Sequence, residues 1–412
     1  MMVCNPIDPA VQAAHEALWA RFVDRHHVVL DAVGLDGALS RPTPEECRLS
    51  QPNGMSWGCP NENGSFFGGI YLEGMLNRWR LTGLEEDRRR TRQIAEGLML
   101  LASVGETRGF IARGVSDDGR SHFPIGSNDQ TTPWLYGMWR YVTSEAPEPA
   151  EREAMLAKLV EVVEVLRECG WRTPCDRPPF DFRNYLTNFE YENVPRLLWL
   201  LRMMARLTGD DVWEERYESA LAETNPSGGP NRLAICRRGM VFGTAHRHSW
   251  TGSSSVCALR GLWEMEDDPA RQLAYAEGLR RSAELAAESL PLALQFDHED
   301  PRLFSLNWRV MNELWYEQQS VTEAVELAER QLGRLAQESP RWPYESSLVR
   351  EPLFAAWVVS LCPETEFVAR QTPAIMAAIR HYQYDRLYMS QFFAAELAYY
   401  QLRVAPSGRS YT

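Results

Sequence analysis

The sequence contains no Cys-x-x-Cys pair, and its cysteines and histidines never fall at the spacing that holds zinc. Its eight cysteines, Cys4, Cys47, Cys59, Cys169, Cys175, Cys236, Cys257 and Cys362, read instead as reduced, mostly buried thiols of a cytoplasmic protein. Met1 to Ala10 has neither a basic start nor an apolar run, so no signal peptide is expected. No segment approaches the apolar length of about 20 residues that a membrane span needs. Positive charge is also short. Against 56 Asp and Glu stand 43 Lys and Arg, a formal net charge of −13. Binding phosphate backbones generally requires a basic surface, which argues against a nucleic-acid partner. Strand signals are scarce too. Only residues 109–119, where Asp118-Gly119 suits a tight turn, read as a β-hairpin.

What is present is length, apolar mass and aromatics. At 412 residues and 44% hydrophobic the chain can bury a large core. Its fourteen Trp and fifteen Tyr suit both core packing and the stacking of sugar rings. Asp8-Pro9 is an N-cap and first-turn proline, and Val11, Leu18, Phe22 and Val29 continue a helical spacing to about Val33. Residues 41–63 are rich in Pro, Gly and Asn, with Trp57 and Cys59 among them. That is too long for a connector, so the segment is expected to be functional or packed over something.

From Phe66 onward two kinds of helix alternate. Residues 67–81 are apolar on most sides and read as buried, whereas residues 84–104 are amphipathic and read as outer. Arg206-Leu207-Thr208-Gly209-Asp210 repeats the Arg80-Leu81-Thr82-Gly83 turn with its following acidic run. Similar junctions occur at Ser144-Glu145, Asp268-Pro269, the Ser320/Glu323 capping box and Pro363-Glu364. A period of roughly 45 to 65 residues signals repeated helical hairpins. The expected fold is all-α: an (α/α) toroid of about six hairpins in one domain, residues 1–412. Residues 1–64 would pack on the ring as a helix and a long loop.

The stretch from Gly126 to Tyr141 concentrates the chemistry. Thr132 reads as an N-cap and Pro133 as the first helical residue. Asp129 then lies in the loop before a helix N-terminus, among Asn128, Gln130 and Thr131. A carboxylate there suits acid–base work on a polar substrate, while the plain alternative is a helix cap complementing the dipole. Other segments that enter buried helices share this polar, aromatic character. They supply Asn188, Glu190 and Glu192, then His246, Arg247, His248 and Trp250, then Trp308 and Tyr344. In a toroid these loops meet at one mouth and make a cleft. Asp129, Glu190, Glu192 and His248 are the candidate catalytic groups. Asn128, Gln130, Asn188, Arg113, His122, His246, Arg247, Trp250, Trp308 and Tyr344 are candidates for binding substrate. Arg113, Arg247 and Arg350 have the fork that pairs with a substrate carboxylate. His246-x-His248 lacks a third ligand, so neither metal nor cofactor is expected.

The hairpin period, the Leu-Thr-Gly-acidic turns and the Asn128-Asp129 entry loop resemble the six-hairpin glycosidase superfamily over roughly residues 66–402. Within it the chain is similar to the unsaturated glucuronyl hydrolases. That family uses an inner-helix Asp as general acid/base, and the resemblance implies this role for Asp129, with a short uronic-acid saccharide as substrate. Here Asn128 and Gln130 flank it, where the family commonly has a second acidic residue and aromatics. A toroid is also similar to the N-acylglucosamine 2-epimerases, which would make His248 and His381 paired bases. A non-catalytic carbohydrate-binding toroid is the third reading. The expected partner is a small saccharide, with no nucleic acid and no membrane, and with a homo-oligomer left open.

Overall fold

The computed structural model describes residues 7–242 and 249–404. About 62% of it is helix and 3% strand, which makes the class all-α.

Helix α1 (Pro9–Arg21) starts where Asp8 accepts the Ala10 N–H. It ends twelve residues before Val33. Asp24 takes the N–H groups of His26 and Val28 and folds the chain into a turn, and Val29 is buried by an isolated bridge to Val23 instead. In the long segment only α2 (Pro44–Arg48) is helical, with Thr43 and Glu46 closing a capping box. α3 (Gly64–Thr82) is buried from its first residue to Arg78 and leads into the amphipathic α4 (Glu85–Leu101). The junction works as the turn chemistry requires: Gly83 adopts φ 65°, and Gly209 repeats it at φ 66°.

α5 (Asn128–Val142) and α6 (Pro149–Glu168) form the next pair. α5 begins earlier than Thr132-Pro133 suggests. Ser127 is its N-cap residue and Asp129 lies in its first turn, so Asp129 is not in the loop before the helix. Pro133 sits inside the helix, where it withholds the N–H that a regular helix directs at the Asp129 carbonyl. The antiparallel strands are β1 (Arg172–Pro174) and β2 (Phe182–Tyr185), not residues 109–119. The Asp118 turn does form, since its carboxylate accepts from Arg120 and Ser121. Its flanks pair elsewhere, with Ala112 N–H on Leu101 O and Ser65 N–H on Arg113 O, so no ladder grows.

α7 (Val194–Thr208), α8 (Asp211–Ala222), α9 (Arg232–Arg238), α10 (Ser249–Met265) and α11 (Pro269–Ala287) follow. α12 (Val321–Glu338) is capped by Ser320, α13 (Arg341–Glu345) is short, and a π-turn over Ser346–Arg350 leads into α14 (Glu351–Ser360). α15 (Thr365–His381) and α16 (Ala394–Arg403) complete the chain. Residues 308–314, expected to enter a buried helix, make a 3-10 turn that packs on α12.

The buried helices pack in the order α3–α5–α10–α14–α16, and α16 returns to α3, while α7 packs on α10. α4, α6, α8, α11 and α15 cover α3, α5, α7, α10 and α14 from outside, and α1 covers α16. α3 and α5 touch backbone to backbone: a Cβ on Gly137 would stand 2.1 Å from the Gly69 carbonyl oxygen. The two ends of the chain share one buried cluster. His15 Nδ1 lies 2.9 Å from Glu396, and Tyr71 donates to the same carboxylate at 3.0 Å. Among the described residues no helix is long and apolar enough to cross a membrane.

Candidate functional site

The first turns of α5 and α7 meet the second turn of α10 around Asp129. Arg196, in the first turn of α7, reaches Asp129 Oδ1 at 3.2 Å and donates to Ser255 at 3.1 Å and to Ser254. A line of amides joins the same turns. Asn128 donates to Asn193 at 2.8 Å, Asn193 to Asn188 at 2.9 Å, and Asn188 to the Glu190 carboxylate at 2.7 Å. Arg196 is sealed, its side chain only 1% exposed, but the Asp129 side chain keeps 48% of its accessible surface. Asp129 thus meets solvent on one side and a sealed cation on the other.

The opposite wall comes from the long segment and its neighbours. Glu62 is half-buried, with its carboxylate on the Gly58 N–H at 2.7 Å. Asp31 accepts from both the backbone and the side chain of Asn63. Arg113 ties the two walls together: it donates to the Glu62 carbonyl at 3.3 Å and to Ser127 Oγ, next to α5, at 3.1 Å. Two further arginines face this space. Arg183 of β2 lies over the Trp57 ring at 5.2 Å, and Arg350, at the end of the π-turn, lies over Trp250 at 4.1 Å. A narrow crevice runs beside Glu62, bounded also by Asp31, Asn63, Trp308, Trp342 and Arg350.

The carboxyl groups are pushed in opposite directions. Burial works against charge on Asp129, but Arg196, Arg183 and Arg113 outweigh it and hold its pKa below the usual aspartate value. Asp31 and Glu62 titrate as a pair. Burial raises both, the Glu62 charge raises Asp31 further, and Arg113 pulls only partly against this. Asp129 and the Asp31–Glu62 pair, which share Arg113 as a charge neighbour, are thus biased in opposite directions, a bias that acid–base chemistry uses. Arg113 and Arg350, short of solvent, are both lowered to about 10 and remain cations at neutral pH. Thiol chemistry is not favoured at the wall: burial lifts Cys175, a charge neighbour of Arg183, up to about 11.

Several residues picked from the sequence have structural partners instead. Gln130 is buried and holds Ser65, the Phe66 N–H and Asn63, which fixes α3 against α5. His122 uses both ring nitrogens, on Asp176 at 2.9 Å and on the Arg120 carbonyl. The Trp308 indole N–H goes to the Ser40 carbonyl, although its ring still borders the crevice. Tyr344 stacks on Phe296 and accepts from Asp297 N–H in a separate aromatic cluster. His381 belongs to that cluster too, with Nε2 at 2.9 Å from the Phe296 carbonyl. Glu190 and Glu192 are exposed at the start of α7, with Glu190 on Asn188. His246, Arg247 and His248 lie outside the described residues. Arg113 and Trp250 line the cleft, Arg113 fully engaged with protein oxygens.

Glu62, Asp31, Arg183 and Arg196 were not singled out from the sequence. The one available signal was the length of the segment that carries Glu62. Among the described residues no three or more His, Cys, Asp or Glu side chains gather as a metal would need. No protein-family model, no curated protein and no solved structure matches this chain.

Proposed function

We propose that the chain is a glycoside hydrolase acting on a short, uronic-acid-containing saccharide, built as an (α/α) toroid of helical hairpins. The observation that carries the proposal is the pair of oppositely biased carboxyl groups, Asp129 and Glu62, in an arginine- and tryptophan-lined cleft. Glu62 keeps its proton into the range where an ordinary glutamate has lost it, so it is the donor to the departing sugar oxygen. Asp129 stays ionised, stabilises positive charge at the reacting carbon and takes the proton from water. Hydrolysis then adds the elements of water across the broken bond, and each carboxyl group is returned to its starting state by solvent. Trp308 and Trp342, which border the crevice beside Glu62, supply apolar faces for sugar rings. The toroid is supported by the packing order that leads from α3 back to α3, with a covering helix outside each member.

This reading moves the second carboxyl group from Glu190 or Glu192 to Glu62, because Glu62 shares Arg113 and Arg183 with Asp129 as charge neighbours. The test is a screen of saturated and unsaturated uronyl disaccharides, followed by chromatography and by loss of ultraviolet absorbance. Monosaccharide products support the proposal. A product of unchanged length would put an epimerase in its place, and binding without turnover would leave a carbohydrate-binding protein.

A further inference from the structure

The four arginines around the cleft are not equivalent. Arg113 donates to three protein oxygens and Arg196 is matched by Asp129 and two serines. Among the described residues the guanidinium groups of Arg183 and Arg350 make no hydrogen bond and no ion pair. Arg183 Nη1 and Arg350 Nε are shut away from solvent without a partner. Both side chains are half-buried, and the enclosed nitrogen of each has lost its hydrogen bond to water with no protein acceptor in its place. Each guanidinium lies over an indole, Arg183 at 5.2 Å from the Trp57 ring and Arg350 at 4.1 Å from the Trp250 ring.

Their surroundings differ: Arg350 lines the crevice beside Glu62 and Asp31, whereas Arg183 lies over Trp57, next to the Gly58 N–H that holds Glu62. Arg183 feels Asp129, Cys175 and Glu62, whereas Arg350 feels Glu351, Glu62 and Asp31. Glu62 is a charge neighbour of both. They also hang from unrelated elements, β2 and the π-turn before α14. A single small anion at one arginine therefore leaves the other unanswered.

We infer that Arg183 and Arg350 are two separate anion subsites beside Glu62, so that the ligand is a saccharide with an anionic group on each of two neighbouring sugars. This deepens the proposed function, on which the position of the cleaved bond between the two anions rests. The anion pairing itself requires only the cleft. Carboxylate, sulfate and phosphate share the chemistry that a guanidinium fork reads.

Equilibrium binding separates the two claims, because it needs no turnover. The probes are digalacturonate with two carboxylates, galacturonate with one, and neutral lactose, titrated by calorimetry or by tryptophan fluorescence. Digalacturonate should bind about tenfold or more tighter than galacturonate, and lactose more weakly than either. Arg183→Gln and Arg350→Gln should each bring digalacturonate down to the level of galacturonate. Arg183→Lys and Arg350→Lys, which keep the charge but lose the fork, should fall between. Equal affinity of the parent for digalacturonate and galacturonate would overturn the inference, and that result does not depend on any variant folding. So would Gln variants that melt like the parent and keep its preference. Tight, arginine-dependent binding of digalacturonate without cleavage of any uronyl disaccharide would retain the two subsites and sink the hydrolase.

Discussion

Asp129→Asn keeps the size of the side chain and most of its hydrogen bonding while removing its charge. Asn is itself acceptable in the first turn of a helix, and Arg196 retains Ser254 and Ser255 as partners. Turnover on the best uronyl substrate should fall about 10²–10⁴-fold, mainly in kcat, with the melting temperature within a few degrees of the parent. A variant with near-normal turnover would remove Asp129 from the chemistry. Glu62 is the second residue to probe, through its neighbour. Its pKa is raised, so the protonated donor is present at low pH and is lost as pH rises through that raised value. Asp129 sets the acid limb, since its lowered pKa keeps it ionised until pH drops below the usual aspartate range. Arg350→Gln removes a cation that favours the Glu62 anion, and Arg350 is not among the cations that hold down Asp129. The alkaline limb of the kcat profile should therefore move to higher pH, with the acid limb unmoved. An unchanged alkaline limb would show that Glu62 does not set it.

Helices α3 and α5 are positioned by the absence of side chains at their crossing. The backbone oxygens of Pro133 and Gly69 occupy the places where Cβ atoms of Gly69 and Gly137 would lie, at 2.3 Å and 2.1 Å. Backbone cannot swing aside as a flexible side chain can, so Gly137→Ala should cost at least ~3 kcal/mol, seen as a lower denaturation midpoint. Because α5 carries Asp129 and α3 follows directly from Glu62, the same wedge should reduce kcat in whatever protein still folds. At the outer surface the scale is smaller. Ser320 accepts the Glu323 N–H at the start of α12, while Glu323 reaches back to the Gln319 N–H. Ser320→Ala should cost about 1 kcal/mol, and it should leave turnover alone.

Across the whole molecule the first and last helices complete each other. His15 and Tyr71 meet Glu396, Arg78 meets Tyr400, and Asp8 meets Arg380. The loop around Gly228 and Gly229 is exposed and lies between α8 and α9, so cutting there breaks no helix. It does separate α3, α5 and α7 from α10, α14 and α16, which bury one another. Neither fragment should fold alone, and the intact chain should unfold in one transition by circular dichroism and by tryptophan fluorescence. A soluble N-terminal fragment with a cooperative melt of its own would show separable units.

The features legible in the sequence were those decided within a turn or two of chain. Asp8, Asp268 and Ser320 each accept an N–H two or three residues on, and Gly83 and Gly209 take the left-handed conformation that ends a helix. Such choices depend on local sterics and hydrogen bonding, so residue types alone reveal them, and the buried-then-amphipathic alternation followed from the same period. Local signals failed where packing opposed them. Thr132-Pro133 looks like a helix start, yet α5 begins at Asn128, in the turn where Gln130 holds Ser65, the Phe66 N–H and Asn63. Residues 109–119 make their turn but no ladder, because α4 and α3 claim the flanking backbone groups. The site belongs almost wholly to the tertiary structure. Asp129 and Arg196 are 67 residues apart in the chain, and Glu62 joins them only through the arginines that face it. The sequence alone determined which stretches are helices and where most of them turn, since those are short-range steric and hydrogen-bonding matters. The direction in which each carboxyl group's pKa is pushed was decided only in the folded molecule, where burial and distant cations act on it together.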